Sequence, residues 1–201
     1  VTHECDWPLE AQGKPQVTRS RIRTEACSSS EIDRQVKAEA GSLYDLDGDV
    51  LSRLKPDIIL TQSLCPVCAV DETTVRRFAQ TLSNEPKVFS FHPTRLGEVI
   101  AMVQEIGTIT GAANQAQRLV ARFRGEMDRV RGELCGSASR PKTICLEWTD
   151  PPFACGHWTP ELVELAGGTE LLGQAGRPSR RASWEEVCAE AEGKSRELER
   201  F

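Results

Sequence analysis

The chain has 201 residues and a net charge of −5, with 39% hydrophobic and 27% charged residues. This composition is typical of a globular protein with room for one large domain or two small ones. No apolar run approaches the roughly 20 residues that a bilayer-spanning helix needs. Basic residues are interleaved with acids, which argues against a nucleic-acid partner.

The first half of the chain alternates strand-like and helix-like segments. Apolar runs behind the breakers Pro56 and Pro86 predict buried strands, and polar starts followed by acids predict helices. Because this is a βαβ pattern, we expect a parallel sheet flanked by helices. The predicted elements are a strand at 1–4, a loop at 5–30, helices at 30–40, 48–54 and 72–82, and strands at 57–62 and 87–91.

The second half opens with a long helical region. Residues 94–134 favour helix, and Gly107 and Gly111 divide a first helix from a longer one at 112–134. At ~1.5 Å per residue the longer helix reaches roughly 35 Å, enough to bridge two lobes. A strand at 142–147, a helix at 159–165 and a helix starting at Ser183 follow. The sequence thus predicts an α/β protein with an N-terminal lobe, a helical region containing the inter-lobe helix and a C-terminal lobe, at 1–93, 94–140 and 141–201.

An aromatic loop directly follows the predicted strand at 142–147. It contains Trp148, Trp158 and His157, together with the acids Glu147 and Asp150. Because open α/β sheets bind ligands beyond the carboxyl ends of their strands, these side chains fit the wall of a site for a large, partly apolar ligand. The alternative is a loop whose tryptophans only cover the core.

Eight cysteines occur in the chain, without the repeated spacing of small secreted domains. Cys65 and Cys68 form a CxxC pair after the strand at 57–62, where they could wall a ligand site or simply form a turn. They could also be a redox couple or, with His3 and Cys5 at the neighbouring edge, a zinc site.

Common catalytic motifs are missing from the sequence. It contains no GxSxG, HExxH, phosphate-binding loop or GxGxxG fingerprint. We therefore expect a protein that is not an enzyme and needs no cofactor.

Three segments taken together, in order along the chain, resemble one family. They are the sequence His-Glu-Cys-Asp-Trp-Pro at 3–8, the sequence Lys-Pro-Asp-Ile-Ile-Leu-Thr-Gln at 55–62, and the segment from Asp150-Pro151-Pro152-Phe153 to Gly167-Gly168. The chain is similar to the cobalamin-binding branch of the ABC-transporter solute-binding proteins, a class that also binds ferric siderophores and haem. The resemblance implies two α/β lobes joined by one long helix, with the ligand held between them.

The same resemblance implies roles for particular residues. Cobalamin is the implied ligand, and its implied contacts come from both lobes: Trp7, Gln62, Cys65, Cys68, Glu147, Trp148, His157 and Trp158. Glu72 and Glu185 match two acids that dock onto an ABC permease dimer in the membrane. His157 or a thiol could ligate the cobalt, a role that imidazole and thiolate chemistry allows.

The resemblance also sets expectations for the context of the chain. It implies a monomer in a periplasmic or membrane-anchored extracytoplasmic location, whereas the cysteines and the lack of a signal peptide leave a cytoplasmic one open. We expect both lobes to be incomplete, with segments missing before Val1 and after Val187. The alternatives are a siderophore or haem binder of the same fold, or a zinc or thiol-redox protein built on the CxxC loop.

Overall fold

The computed structural model describes residues 1–39, 41–63, 70–134 and 139–193. By its internal contacts the chain divides into two compact units, Val1–His92 and Pro93–Phe201. Each unit combines helices with short strands, which confirms the predicted α/β class. No described helix is long and apolar enough to cross a membrane.

Unit 1 contains two separate pairs of strands. Strands β1 and β2 pair antiparallel, whereas β3 and β4 pair parallel from Ile58 opposite Lys87 to Gln62 opposite Phe91. The carboxyl ends of β3 and β4 therefore lie side by side. The elements are a 3₁₀ turn at Leu9–Ala11, β1 (Thr18–Ser20), α1 (Ser29–Ala38), β2 (Tyr44–Leu46), α2 (Gly48–Leu54), β3 (Ile58–Gln62), α3 (Glu72–Ala79) and β4 (Lys87–Phe91).

Short polar side chains begin the helices of unit 1. Ser28 caps α1 in a capping box with Glu31, two residues before the predicted helix start at Ser30. The carboxylates of Asp47 and Asp71 accept hydrogen bonds from Val50 N at 2.9 Å and Thr74 N at 2.8 Å. These bonds satisfy backbone donors at the starts of α2 and α3 that have no partner within the helix.

The predicted opening strand is wrong. Residues 1–4 form no strand, and Cys5 N closes a turn by donating to Thr2 O at 3.2 Å. Strand β1 lies instead inside the segment predicted as a loop, where Thr18 pairs with Leu46 of β2. Because this pairing joins positions 28 residues apart, local composition gave no sign of it.

Unit 2 begins with two helices and continues as short strands and helices. Strands β5 and β8 pair parallel, and β6, β7 and β9 form an antiparallel sheet in that order. The elements are α4 (Leu96–Ile109), α5 (Ala113–Glu133), β5 (Lys142–Thr143), β6 (Leu146–Thr149), β7 (Pro152–Ala154), α6 (Thr159–Leu165), β8 (Thr169–Glu170), β9 (Arg180–Arg181) and α7 (Trp184–Glu192).

The two long helices of unit 2 pack closely against each other. A Cβ on Gly107 of α4 would overlap the Cβ of Ala116 of α5, so the helices touch where both residues are small. The predicted helix at 112–134 is confirmed as α5, which belongs to the second compact unit. Its role in joining the two lobes stays a prediction.

The core beneath the short strands of unit 2 is small. Buried Ala154, Leu172, Ala182 and Val187 pack together, with Ile144 and Leu146 against them. The single strand predicted at 142–147 is divided, because β5 pairs with β8 while β6 pairs with β7. Parallel pairing is thus present in each unit, accompanied by antiparallel strands that the alternation of elements did not predict.

Candidate functional site

The first part of the aromatic loop of unit 2 is a hairpin between β6 and β7, and His157 and Trp158 follow β7. Trp148 lies on β6 opposite Phe153, beside an irregularity in register after Leu146. Its side chain is half-buried, and its Nε1 donates to the carbonyl of Asp150 at 3.0 Å. This bond fixes the indole at the hairpin turn, and the half-buried side chain leaves part of its apolar surface exposed.

Backbone contacts join residues 156–157 to residues 176–179 and hold the loop that contains His157. We call this pair of segments the backbone clamp. His157 has φ of 51°, its N–H donates to Arg177 O at 2.6 Å, and its carbonyl accepts from Gly176 N at 2.9 Å. A Cβ on Gly156 would overlap Ser179 N and lie 2.6 Å from Arg177 O. Glycine at 156 therefore lets the His157 loop lie directly against the backbone at 176–179.

Glu147 strengthens the same clamp. One carboxylate oxygen accepts from Gly156 N at 3.1 Å and the other accepts from Ser179 Oγ at 2.5 Å. The carboxylate of Glu147, a predicted ligand contact, thus accepts hydrogen bonds from both sides of the clamp. Its contact with a ligand stays a prediction.

The imidazole of His157 carries an unpaired atom. Its Nε2 is buried and has no hydrogen-bond partner among the described residues. The ring lies 6.0 Å from the Trp158 ring, centroid to centroid, at an interplanar angle of 41°. Buried polar atoms in proteins almost always have partners, so this nitrogen is an exception within the described part of the chain.

In unit 1, polar side chains line an open cavity at the carboxyl ends of β3 and β4. The cavity has a volume of about 800 Å³. Ser90 Oγ donates to Ser63 Oγ at 3.1 Å across the strand ends, and Arg76 Nε donates to Glu72 Oε1 at 2.7 Å. The lining residues are Gly41, Gln62, Ser63, Val70, Asp71, Glu72, Thr73, Arg76, Arg77 and Gln80.

The comparisons with known proteins are consistent with this architecture. A family model described as "Periplasmic binding protein" matches residues 15–192. The chain belongs to the periplasmic binding protein family. The match confirms the predicted membership of the periplasmic binding protein family. No match was found among the curated proteins.

Solved structures of periplasmic binding proteins share the fold of the chain. The vitamin B12 binding protein BtuF of Vibrio cholerae is 16% identical with a TM-score of 0.64, over 94% of this chain and 63% of that one. The haem-binding protein BhuT, in complex with two haems, gives the same identity, TM-score and coverage. IsdE of S. aureus, complexed with haem, is 15% identical with a TM-score of 0.53, over 72% of this chain and 54% of that one. The chain thus spans less than two thirds of these relatives.

Trp7 and Gln62 are the predicted contacts from unit 1. Trp7 is 78% exposed, just before the 3₁₀ turn, and Gln62 is exposed at the carboxyl end of β3. Gln62 also lines the strand-end cavity, whereas Trp7 does not. Both side chains are accessible, and their ligand contacts stay predictions.

The two predicted docking acids have different surroundings. The Ser90 hydroxyl, and then the Arg76 guanidinium, hold the pKa of Glu72 below its ordinary value. Glu185 is exposed in the first turn of α7, where its own backbone N–H and then the Ser183 hydroxyl lower its pKa. Both acids are therefore ionised at neutral pH, but only Glu185 has no ion pair described for it.

The proposed thiol and zinc residues are only partly described. Cys65 and Cys68 lie outside the described residues. His3 Nδ1 lies 2.8 Å from Thr18 Oγ1, and Cys5 Sγ lies 3.1 Å from Thr2 Oγ1. The described part of the chain contains no group of three His, Cys, Asp or Glu side chains that could hold a metal ion.

Sequence reasoning missed the segment at 176–179, which forms the second side of the clamp. The sequence Gly176-Arg177-Pro178 is typical of a turn, and no other local feature of the sequence indicates this segment. It also missed Glu170, whose carboxylate accepts from Cys145 N at 3.1 Å, Leu172 N at 3.0 Å and Gly173 N at 2.9 Å. These contacts join positions that are distant in the sequence or depend on a turn geometry.

Proposed function

We propose that this periplasmic binding protein binds a corrinoid of the cobalamin type and catalyses no reaction. The observation that carries the proposal is the unpaired, buried Nε2 of His157 beside the Trp158 ring. Such an atom costs free energy until a ligand supplies a partner. The fold shared with a vitamin B12 binding protein supports the same ligand class.

A corrinoid suits the chemistry of the hairpin and the His157 loop. The ligand is a large flat ring with neutral amide groups around its rim. Trp148 and Trp158 offer flat apolar faces, which favour contact with a ring of that kind. The imidazole nitrogen can donate or accept a hydrogen bond, depending on its tautomer, and so can pair with a rim amide.

Unit 1 supplies the further contacts of this proposal. Gln62 carries both an amide donor and an amide acceptor, which match the amide groups of a corrinoid. The exposed indole of Trp7 adds apolar surface. In the proposed complex the contacts from unit 1 are thus Trp7 and Gln62, and those from unit 2 are Trp148, His157 and Trp158.

The proposal extends to an ABC-type uptake system outside the cytoplasm. Glu72 and Glu185 would dock the loaded protein onto arginines of the membrane permease. Charge reversal by Glu185→Lys would leave cobalamin affinity unchanged and lower permease-dependent uptake in reconstituted vesicles. Glu190→Lys on the same helix is the matched control, and an equal loss with both variants would contradict a docking role for Glu185.

Haem is the second candidate, favoured by one feature of the clamp. The side chain of Arg177 is exposed beside His157, where a guanidinium could pair with a haem propionate. Two haem-binding proteins also share the fold. The two ligands differ because a corrinoid presents amides where haem presents carboxylates.

Competition between ligands tests the proposed function. Calorimetric titration of the full chain with cyanocobalamin, haemin and a ferric siderophore, each alone and in competition, ranks the three affinities. The proposal expects cyanocobalamin to bind in a one-to-one complex and to resist displacement by the other two. Tighter binding of haemin would replace the corrinoid by the second candidate, and binding of none would refute both.

A further inference from the structure

Two cysteines face each other at the base of the hairpin between β6 and β7. Leu146 pairs with Ala154, so the next positions outward, Cys145 and Cys155, are directly opposite. Cys155 N donates to Cys145 O at 3.0 Å, which continues the ladder by one step. Opposite positions on antiparallel strands have the Cα separation that a disulfide requires.

Both thiols of this pair are free. Because the two positions are opposite each other, their side chains project from the same face of the hairpin. Gly173 confines the Cys155 side chain, because a Cβ at 173 would overlap Cys155 Sγ and lie 2.6 Å from Cys155 O. The Cys155 sulfur is thus confined on one side by the backbone of Gly173.

We infer that Cys145 and Cys155 are a modification site, at which a small disulfide oxidant such as oxidised glutathione converts the two thiols into an intrachain disulfide. The inference is independent of the proposed ligand. It concerns cysteines other than the CxxC pair at Cys65 and Cys68.

The order of reaction follows from the difference in exposure. Cys155 is 1% exposed, whereas Cys145 is intermediate, so the oxidant reaches Cys145 first.

The reaction consists of two thiol–disulfide exchanges. The Cys145 thiol loses its proton to water and attacks the oxidant, whose S–S bond breaks to release one thiolate and leave a mixed disulfide on Cys145. Cys155 then loses its proton and attacks Cys145 Sγ, releasing the second thiolate. The two protein thiols lose two protons and two electrons in total, and the oxidant takes these up to become two thiols.

A disulfide at this position would close the base of the hairpin covalently. The closed loop would contain Trp148 and end directly before Gly156 and His157. The oxidised form would therefore hold the aromatic loop in the conformation that the backbone clamp already favours.

Peptide mapping of the native, full-length protein tests this inference. Trypsin leaves residues 143–180 as one peptide, since Arg177 precedes a proline, and Cys145 and Cys155 are its only cysteines. After incubation with oxidised glutathione and alkylation, this peptide should be lighter than its reduced form by two hydrogen atoms and should take up no alkylating agent. Acid cleavage at Asp150–Pro151 should then give two halves that separate only after reduction.

Variants distinguish this bridge from oxidation elsewhere. Cys145→Ser should abolish the linked halves, whereas Cys188→Ser, which removes an exposed cysteine of α7, should leave them unchanged. Two free thiols in the wild-type peptide after oxidation, or glutathione that remains attached to Cys145, would overturn the inference.

Discussion

The His157 loop of unit 2 and the strand-end cavity of unit 1 satisfy their polar groups in opposite ways. In the cavity, charged side chains pair with each other and with hydroxyls, as Glu72 does with Arg76 at 2.7 Å. At the loop, Glu147 accepts hydrogen bonds from a backbone N–H and a hydroxyl. These bonds fix the chain around an imidazole whose Nε2 has no partner in the part of the chain that the structure describes. The polar groups of the first surface pair with each other, whereas the second is held in place around a buried atom that lacks a partner among the described residues.

This difference shows where binding energy is expected to come from. A preorganised loop pays little conformational entropy when a ligand arrives, and an unpaired buried nitrogen gains a full hydrogen bond. A self-paired surface must first break its own contacts. We therefore expect changes to the clamp and to His157 to affect ligand binding more than changes in the strand-end cavity.

The largest effect is expected when the clamp is forced open. In Gly156→Ala the new methyl group would overlap Ser179 N, and backbone cannot move aside as a flexible side chain can. We expect a loss of about 3 kcal/mol in the free energy of unfolding, measured by urea denaturation. Gly125→Ala in α5 is the control, because nothing lies within 4 Å of its added Cβ, and it should stabilise by up to about 1 kcal/mol. Equal effects of both variants would contradict the clamp.

A smaller effect is expected from Glu147→Gln. The amide NH₂ cannot accept a hydrogen bond, so one of the two donors, Gly156 N or Ser179 Oγ, loses its partner. We expect the free energy of unfolding to fall by about 1.5 kcal/mol. Glu72→Gln in the strand-end cavity is the matched change, and it should cost less because Arg76 is solvated without its partner. A larger loss for Glu72→Gln would reverse the comparison.

Ligand affinity should depend on Trp148 more than on an exposed tryptophan elsewhere. Trp148→Leu removes the flat face at the hairpin turn, and we expect cyanocobalamin affinity to fall about fivefold, or about 1 kcal/mol. Trp184→Leu is the control, since Trp184 is 50% exposed at the start of α7. Calorimetry on both variants measures the difference, and unchanged affinity in Trp148→Leu would remove this residue from the site.

The smallest effect is expected from lowering the pH, which protonates Asp71 at the border of the strand-end cavity. The N–H of Thr74 lowers the pKa of Asp71, so folding favours the ionised form of this carboxyl. Its contribution to stability is complete above the unfolded pKa of about 4 and is lost as the pH falls through the lower folded pKa. Asp71→Asn keeps an N-cap but does not titrate, so its stability should fall less steeply in acid than that of the wild type. Parallel pH profiles of the urea midpoint would contradict this assignment.

Helices with local start and stop signals could be predicted from the sequence. The helices at 48–54 and 159–165 were predicted with the bounds that the structure shows, since Asp47 caps the first and Pro160 begins the second. The strands β1, β2, β7, β8 and β9 were missed. Each has only two or three residues, and its stability comes from a distant partner.

The candidate site divides in the same way. His157, Trp148 and Trp158 could be predicted as site residues because they are clustered in the sequence with a glycine beside them, and their ligand contacts stay predictions. Their support at 176–179, and the pairing of Cys145 with Cys155, depend on contacts that form only when the chain folds. The sequence therefore indicated which side chains could face a ligand, but not which backbone holds them in place.

Calorimetric titration of His157→Gln with cyanocobalamin, beside the wild type, tests the central claim most directly. We expect the wild type to bind and the variant to lose affinity about tenfold, because the unpaired Nε2 no longer meets the ligand. His3→Gln is the control, since His3 Nδ1 already bonds to Thr18 Oγ1, and it should bind as the wild type does. Wild-type affinity in a folded His157→Gln variant, or no binding by the wild type, would contradict the account.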